Sequence, residues 1–188
     1  MDHNIHTYIA PGRRAHLVGI GGVSMSPLAE VLHGAGMVIT GSDMREGPAV
    51  AHLRSLGIPV AIGHREENVG DAELIIRTAA VHDDNPEIAA ARAAGIPVFE
   101  RAQAWGAIMR HYQNALCVAG THGKTTTTSM CTHIFLAAQR DPTVMIGGVL
   151  PALGAGHRVG KGDTIILESC EYCNSFLSFF PTVAVILN

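Results

Sequence analysis

The chain has 188 residues, of which 47% are hydrophobic and 15% are charged, and its formal net charge at pH 7 is −3. This composition is typical of a folded globular protein, and it excludes a disordered chain and the basic surface of a nucleic-acid-binding protein. Because no apolar run approaches the roughly 20 residues that cross a bilayer, and the N-terminus is unlike a signal peptide, we expect a cytoplasmic protein.

From residue 15 onward, short apolar segments alternate with helix-like segments. Glycine ends the predicted helices and proline prevents their restart, as in the matching runs 56–60 and 94–98. Repeated strand–helix units of this kind favour parallel strands joined by right-handed crossovers. We therefore predict an α/β fold with a Rossmann-like, doubly wound parallel sheet, with strands at 15–18, 37–40 and 74–76, further strands starting near Ile58 and Ile96, and helices at 27–35, 48–56 and from Asn85 onward.

A second α/β unit is predicted after a helix at 101–111 and a short hinge at 112–114. Its first strand ends at Ala119, and two later segments, 164–167 and 183–187, are typical of buried parallel strands. The helix between them has apolar residues at helical spacing, and this pattern predicts that they face the sheet. These residues are Met130, Cys131, Ile134, Phe135 and Ala138.

The run Gly120-Thr121-His122-Gly123-Lys124-Thr125-Thr126 follows an apolar strand and precedes a helix-like segment. In such a loop, backbone N–H groups surround the phosphates of a nucleotide, the lysine binds the outer phosphates, and the next hydroxyl binds Mg²⁺. Gly120 and Gly123 are closer together than the two glycines of the standard phosphate-loop pattern, whose first glycine would fall at Val118. An ordinary glycine turn is the alternative, and His122 either contacts the nucleotide or only shapes the loop. The run predicts an ATP site.

A second glycine loop, Gly19-Ile20-Gly21-Gly22-Val23-Ser24, follows the first strand. It matches Gly-x-Gly-x-x-Gly except that Ser24 stands at the third glycine position. Asp43 ends the second strand about 20 residues later, where a dinucleotide-binding fold has its ribose-binding acid. The loop is either a diphosphate cradle beside the start of a helix near Pro27 or a plain tight turn. Taken alone, it suggests a nicotinamide-dependent oxidoreductase, which has no need of the Lys124 loop.

Glu168 ends the apolar strand 164–167, downstream of the phosphate loop. An acid at this place reaches the Mg²⁺ of a bound nucleotide. Glu171 is a second candidate, and an exposed strand-end carboxylate is the alternative for Glu168. Cys170 and Cys173 form a Cys-x-x-Cys pair, but the sequence has no second pair beside it, so we expect reduced thiols.

Together, the segments 19–25, 41–43, 85–88 and 120–126 resemble the Mur ligases of peptidoglycan synthesis. The resemblance extends over all 188 residues, and the phosphate loop with its histidine is the most specific part. It implies an ATP- and Mg²⁺-dependent ligase that phosphorylates the carboxylate of UDP-N-acetylmuramate and joins it to L-alanine. The muropeptide-recycling ligases of the same family rank second, and a nucleotide-sugar-binding module without activity is a further alternative.

By this resemblance, residues 1–112 bind the UDP-sugar and residues 113–188 begin the ATP-binding domain. The expected UDP-sugar contacts are Gly19, Ile20, Gly21, Gly22, Ser24, Ser42, Asp43 and Thr78. The expected ATP contacts are Gly120, Thr121, His122, Gly123, Lys124, Thr125 and Thr126. Lys124 and Glu168 are the expected catalytic residues, and Thr125 and Glu168 the expected Mg²⁺ ligands.

The sequence departs from the family pattern in several places. Many family members have aspartates where Cys170 and Cys173 stand, and serines where Thr78 and Ala79 stand. Family members also continue well beyond residue 188, with the rest of the ATP domain and a third domain. We therefore expect an N-terminal fragment that carries the sites but is inactive alone.

Overall fold

The computed structural model of the chain describes residues 4–169 and 176–188. Cys170, Glu171 and Cys173, which the sequence singled out, lie outside these described residues. The chain forms two compact units, Met1–Ala104 and Trp105–Asn188. Each unit contains a five-stranded sheet with α-helices, which confirms the predicted α/β class.

The first unit alternates strands and helices, as the glycine and proline pattern predicts. Its elements are β1 (Arg14–Val18), α1 (Met25–Gly34), β2 (Val38–Asp43), α2 (Pro48–Ser55), β3 (Val60–Ile62), β4 (Leu74–Arg77), α3 (Pro86–Ala93) and β5 (Val98–Glu100), with short 3-10 helices at Ile5–Thr7 and Glu66–Val69. The strands are all parallel and lie in the order β3-β2-β1-β4-β5. The order reverses between β1 and β4, and the carboxyl ends of the strands at such a reversal are where open α/β sheets usually bind ligands.

Local signals place the helices of this unit. Asn85 caps α3, because its side-chain oxygen accepts hydrogen bonds from Glu87 N at 2.9 Å and Ile88 N at 3.4 Å. Helix α1 begins at Met25, two residues before the predicted start at Pro27. The reason is that the carbonyl of Gly22 accepts hydrogen bonds from the N–H groups of residues 25 and 26, both at 2.9 Å. The helix therefore grows directly out of the glycine loop.

The second unit has a mixed sheet. Helix α4 (Arg101–Met109) contains the boundary between the units, and the elements that follow are β6 (Asn114–Ala119), α5 (Lys124–Ala137), β7 (Thr143–Leu150), β8 (Ala155–Arg158), β9 (Thr164–Glu168) and β10 (Val183–Ile186). The strand order is β10-β6-β9-β7-β8, and only β8 is antiparallel, to β7. The parallel strands β6, β9 and β10 confirm the prediction, whereas the β7–β8 hairpin has no counterpart in it.

The predicted inner face of α5 is wrong in part. Cys131 and Phe135 do pack against the buried cluster of β7 and β9, but Met130 and Ile134 are exposed, at 54% and 65%. The buried positions of the helix are instead the threonines 128 and 132, whose hydroxyls donate to the carbonyls four residues earlier at 2.8 Å. Because these hydroxyls have partners within the helix, they can be buried without the cost of an unpaired polar group.

The last strand also differs from the prediction of a buried strand. β10 lies at the edge of the second sheet, and its residues Val183 and Ile186 are 51% and 77% exposed. In the part of the chain that the structure describes, no helix is both long and apolar enough to cross a membrane.

Candidate functional site

The first glycine loop connects β1 to α1 at the carboxyl edge of the first sheet. Gly19 has a φ of +79°, a left-handed conformation that glycine adopts without strain. The N–H groups of Gly19 and Ile20 both donate to the carbonyl of Ser42, at 2.9 and 3.0 Å, and Gly22 N donates to Gly19 O at 3.1 Å. The loop is thus a tight turn tied to the end of β2, immediately before the N-terminus of a helix.

Asp43, the last residue of β2, lies directly beside this loop. Its Oδ2 accepts a hydrogen bond from Gly21 N at 2.9 Å, and a Cβ added at Gly21 would lie 2.9 Å from that oxygen. Thr78, the residue after β4, is on the other side of the loop, because a Cβ added at Gly19 would lie 3.0 Å from Thr78 Cγ2. The structure therefore brings the loop, Asp43 and Thr78 together at the ends of three neighbouring strands.

Three other residues predicted for this site are either buried or at the helix start: Ser42 and Ile20 are buried, and Ser24 precedes α1. The Ser42 side chain is fully buried, and its hydroxyl donates to Glu87 Oε2 at 2.6 Å. The Ile20 side chain is also fully buried, and its backbone N–H donates to the carbonyl of Ser42. Ser24 stands at the N-cap of α1 with its side chain making no capping hydrogen bond.

The second glycine loop connects β6 to α5. Gly120 and Gly123 have φ values of +137° and +81°, and α5 begins at Lys124. The ammonium of Lys124 folds back over the loop, where it donates to Gly120 O at 2.5 Å and contacts Thr121 O at 3.4 Å. A glycine loop followed by a lysine at the start of a helix is the arrangement of loops that bind nucleotide phosphates.

Two N–H groups of this loop converge on one oxygen atom. Asn188 Oδ1 accepts from Thr121 N at 2.8 Å and from His122 N at 3.1 Å. An oxygen bound by successive loop N–H groups is in the position that a phosphate oxygen takes in loops of this kind. The His122 and Thr126 side chains are exposed beside it, one in the loop and one in the first turn of α5.

Thr125 and Glu168, the two expected Mg²⁺ ligands, lie side by side. The hydroxyl of Thr125 lies 3.1 and 3.0 Å from the two carboxylate oxygens of Glu168, at the carboxyl end of β9. Gly147 N, on β7, donates to Glu168 Oε2 at 2.8 Å. A Cβ at Gly147 would lie 2.8 Å from the carboxylate, so this strand position has to be glycine for Glu168 to sit where it does.

These oxygen atoms fit a magnesium ion. A hydroxyl and a carboxylate are hard donors of the kind that Mg²⁺ takes, together with water and phosphate oxygens. Within residues 4–169 and 176–188, no cluster of three or more His, Cys, Asp or Glu side chains forms a site that the protein alone could complete. The pair therefore suits a metal that shares its ligands with a nucleotide rather than a structural metal. Gly147 is the residue that sequence reasoning missed here, although its glycine pair inside an apolar strand was an available signal.

Comparisons with known proteins identify the family of the chain. The model of the Mur ligase family, described as its catalytic domain, matches residues 14–113, which is more than half of the chain. The chain belongs to the Mur ligase family. The matched residues include the Gly19 loop, Asp43 and Thr78 and end before the Gly120 loop. Matches to individual Mur ligases extend over more of the chain.

Curated Mur ligases are similar along nearly the whole chain. The UDP-N-acetylmuramate–L-alanine ligase of Agathobacter rectalis is 51% identical over 174 residues, or 92% of this chain. The ligase of the same name from Acetivibrio thermocellus is 48% identical over 94% of this chain. The chain spans 38% of the length of both relatives.

Solved Mur ligase structures have the same fold. The UDP-N-acetylmuramate–alanine ligase of Thermotoga maritima superposes with a TM-score of 0.82 at 36% identity, covering 92% of this chain and 40% of that one. The UDP-N-acetylmuramate:L-alanyl-γ-D-glutamyl-meso-diaminopimelate ligase of Neisseria meningitides gives 0.83 at 27% identity, covering 93% and 60%.

Proposed function

We propose that this chain supplies the UDP-sugar site and the ATP phosphate loop of an enzyme that joins L-alanine to UDP-N-acetylmuramate. The observation that carries the proposal is the pair of glycine loops, each at the carboxyl edge of its own sheet and each before a helix N-terminus. Relatives named for this reaction are 51% and 48% identical to the chain. Since the chain spans 38% of their length, the activity is proposed for a longer protein that contains it.

The chemistry starts from a carboxylate, which is a poor electrophile until one of its oxygens becomes a leaving group. Transfer of the γ-phosphoryl group of ATP to that oxygen gives an acyl phosphate and ADP. The amino group of L-alanine then attacks the carbonyl carbon and loses a proton. Inorganic phosphate leaves with the oxygen, and an amide bond remains.

The second loop supplies the groups that this transfer needs. Lys124, which here donates a hydrogen bond to Gly120 O, would bind the outer phosphates and stabilise the negative charge that develops on the transferred group. Thr125 and Glu168 would hold Mg²⁺, which neutralises phosphate charge when it is bound. The loop N–H groups of residues 120–126 would bind the phosphate oxygens.

The first unit would hold the other substrate. The N-terminus of α1 directly after the Gly19 loop would bind a diphosphate, and Asp43 and Thr78 lie beside the same loop. We assign residues 1–112 to UDP-sugar binding and residues 113–188 to the first part of the ATP-binding domain. The cytoplasmic location expected from the sequence is part of the same proposal.

A muropeptide-recycling ligase is the second candidate. The Neisseria meningitides structure favours it, because its fold matches with a TM-score of 0.83. Its identity of 27% is well below the 51% of the L-alanine-adding relative, so we rank it second. Turnover with L-alanine against turnover with the tripeptide L-alanyl-γ-D-glutamyl-meso-diaminopimelate separates the two.

The proposed chemistry is tested with the longer protein and UDP-N-acetylmuramate whose carboxylate carries ¹⁸O. We expect one ¹⁸O atom in each released phosphate, because the carboxylate oxygen leaves with the phosphoryl group. Unlabelled phosphate would exclude the acyl phosphate. The Lys124→Ala variant is expected to lose turnover and still bind the UDP-sugar, and full turnover in that variant would exclude the role given to the lysine.

A further inference from the structure

The carboxylate of Glu87 is fully buried in the first unit, and donors from neighbouring segments surround it. Ser42 Oγ donates to its Oε2 at 2.6 Å, and Asn68 Nδ2 donates to its Oε1 at 2.5 Å. His64 Nδ1 lies 3.1 Å from Oε2, and Arg65 N donates to Oε1 at 3.4 Å. A carboxylate without such partners would be costly at a fully buried position, so the cluster is built around Glu87.

These contacts keep Glu87 ionised and fix the direction of the hydrogen bonds. Burial by itself raises the pKa of Glu87, but His16, Ser42 and Asn68, which face its oxygens, lower the pKa to about 2. An ionised carboxylate can only accept, so the Ser42 hydroxyl donates to it. His64 Nδ1 lies 3.0 Å from the Ser42 hydroxyl oxygen and beside the carboxylate. Because the hydroxyl hydrogen already points to Glu87, the Nδ1 atom has to be the donor and carries a hydrogen.

Ser42 connects this buried carboxylate to the first glycine loop. Its carbonyl oxygen accepts hydrogen bonds from Gly19 N at 2.9 Å and Ile20 N at 3.0 Å. Asp43, the next residue, accepts from Gly21 N at 2.9 Å. Three successive N–H groups of the loop are thus held by the last two residues of β2. The side chain of one of these two residues is held in turn by Glu87.

We propose that Glu87 is a positioning residue that holds Ser42 and thereby fixes the Gly19 loop for a nucleoside diphosphate. The inference rests on the proposed function, because it takes this loop as the binding site for the diphosphate of a UDP-sugar. Without the Glu87 carboxylate, the end of β2 loses its only buried charged anchor among the described contacts of Ser42. The loop would then have to be ordered during binding, and the affinity would fall.

The test compares Glu87→Gln and Ser42→Ala with the matched control Ile88→Val. Ile88 is the neighbour of Glu87 in α3 and is equally buried, but its side chain is apolar. NMR measures the hydrogen exchange of the Gly19 and Ile20 amides without ligand, and calorimetry gives the Kd for UDP-N-acetylmuramate well below the melting temperature of each variant.

We expect Glu87→Gln and Ser42→Ala to accelerate exchange of both loop amides and to raise the Kd about tenfold, as the loss of a charge-assisted hydrogen bond would. The double variant should bind no more weakly than the weaker-binding single variant, because one change removes the charge and the other the hydroxyl of the same link. Ile88→Val should lower the melting temperature and leave the amide exchange and the Kd as in the wild type. If Glu87→Gln does not fold, Ser42→Ala gives both readouts.

The inference would be overturned if a folded Glu87→Gln or Ser42→Ala variant showed unchanged amide exchange and an unchanged Kd. Glu87 would then have only a structural role. A hundredfold loss in the double variant would also contradict it, since the two residues would then act separately. A wild-type chain that binds no UDP-sugar would instead overturn the proposed function, and the amide exchange would still decide whether Glu87 holds the loop.

Discussion

The Gly147→Ala substitution tests whether Glu168 is held in place for a metal ion. A Cβ at this position would lie 2.8 Å from Glu168 Oε1 and 3.0 Å from Oε2. Gly147 does not have a positive φ, so alanine fits the backbone of β7. The clash falls on the end of a flexible side chain, and the carboxylate can move away. We therefore expect a change in the site and little change in stability.

The size of the effect follows from these distances. Ordinary van der Waals contacts of a carbon atom begin at about 3.5 Å, so the two carboxylate oxygens have to move away from the added Cβ by roughly 0.5–0.7 Å. Its present contacts with Thr125 Oγ1, at 3.0 and 3.1 Å, would be lost or weakened. Disturbing the support of a metal ligand typically costs about 10–100-fold in metal affinity. We expect Mg²⁺-dependent nucleotide binding to weaken by at least about tenfold.

The assay titrates a fluorescent ATP analogue into the chain, with Mg²⁺ and with a chelator. Gly148→Ala is the matched control, because its Cβ would lie 3.5 Å from Thr125 Cγ2, an ordinary contact. We expect the Mg²⁺-dependent part of the affinity to fall in Gly147→Ala and to stay within twofold of wild type in the control. Equal Mg²⁺-dependent affinity in both variants would refute the assignment of Glu168 as a magnesium ligand.

Three further predictions concern charge, reactivity and packing. Folding lowers the pKa of Glu87 from 4.5 to about 2, so its ionised carboxylate stabilises the folded chain fully above pH 4.5, and this stabilisation is lost as the pH falls toward 2. When the unfolding free energy is measured against pH, the wild type should lose about 3 kcal/mol from this group and Glu87→Gln none of it. Burial raises the pKa of Cys117 to about 12, so mass spectrometry should find this thiol unlabelled by iodoacetamide in the native chain at pH 8 and labelled in denaturant. Thr132→Val should change the unfolding free energy by less than about 1 kcal/mol, because the hydroxyl bonds only within its own helix, and a loss of several kcal/mol in a denaturant titration would contradict this.

The first unit could be predicted from the sequence because its signals are local. The glycines and prolines at 56–60 and 94–98 mark where helices end and strands begin, and the Gly19 loop and Asp43 occupy the ends of adjacent strands. The same holds for Lys124 and Thr125, which follow a glycine turn at a helix start. In each case a short segment determines its own backbone geometry.

The remainder depends on contacts between distant segments. The partners of Glu87 come from β1, from β2 and from residues 64–68, and no spacing in the sequence relates them. The inner face of α5 was wrong in part because threonines that satisfy their own hydroxyls can replace apolar residues at a buried helix position. The hairpin of β7 and β8 went unpredicted because two glycines interrupt the first strand and the second strand, Ala155–Arg158, is half-buried and polar.

The most direct test of the account is a calorimetric titration of the chain with UDP-N-acetylmuramate, with NAD as the competing ligand class. The account predicts one binding site for the UDP-sugar per chain and none for NAD. It also predicts that Gly21→Val abolishes binding, because a Cβ there would lie 2.9 Å from Asp43 Oδ2 and 3.1 Å from Val50 Cγ2. Binding of NAD with no binding of the UDP-sugar would contradict the account.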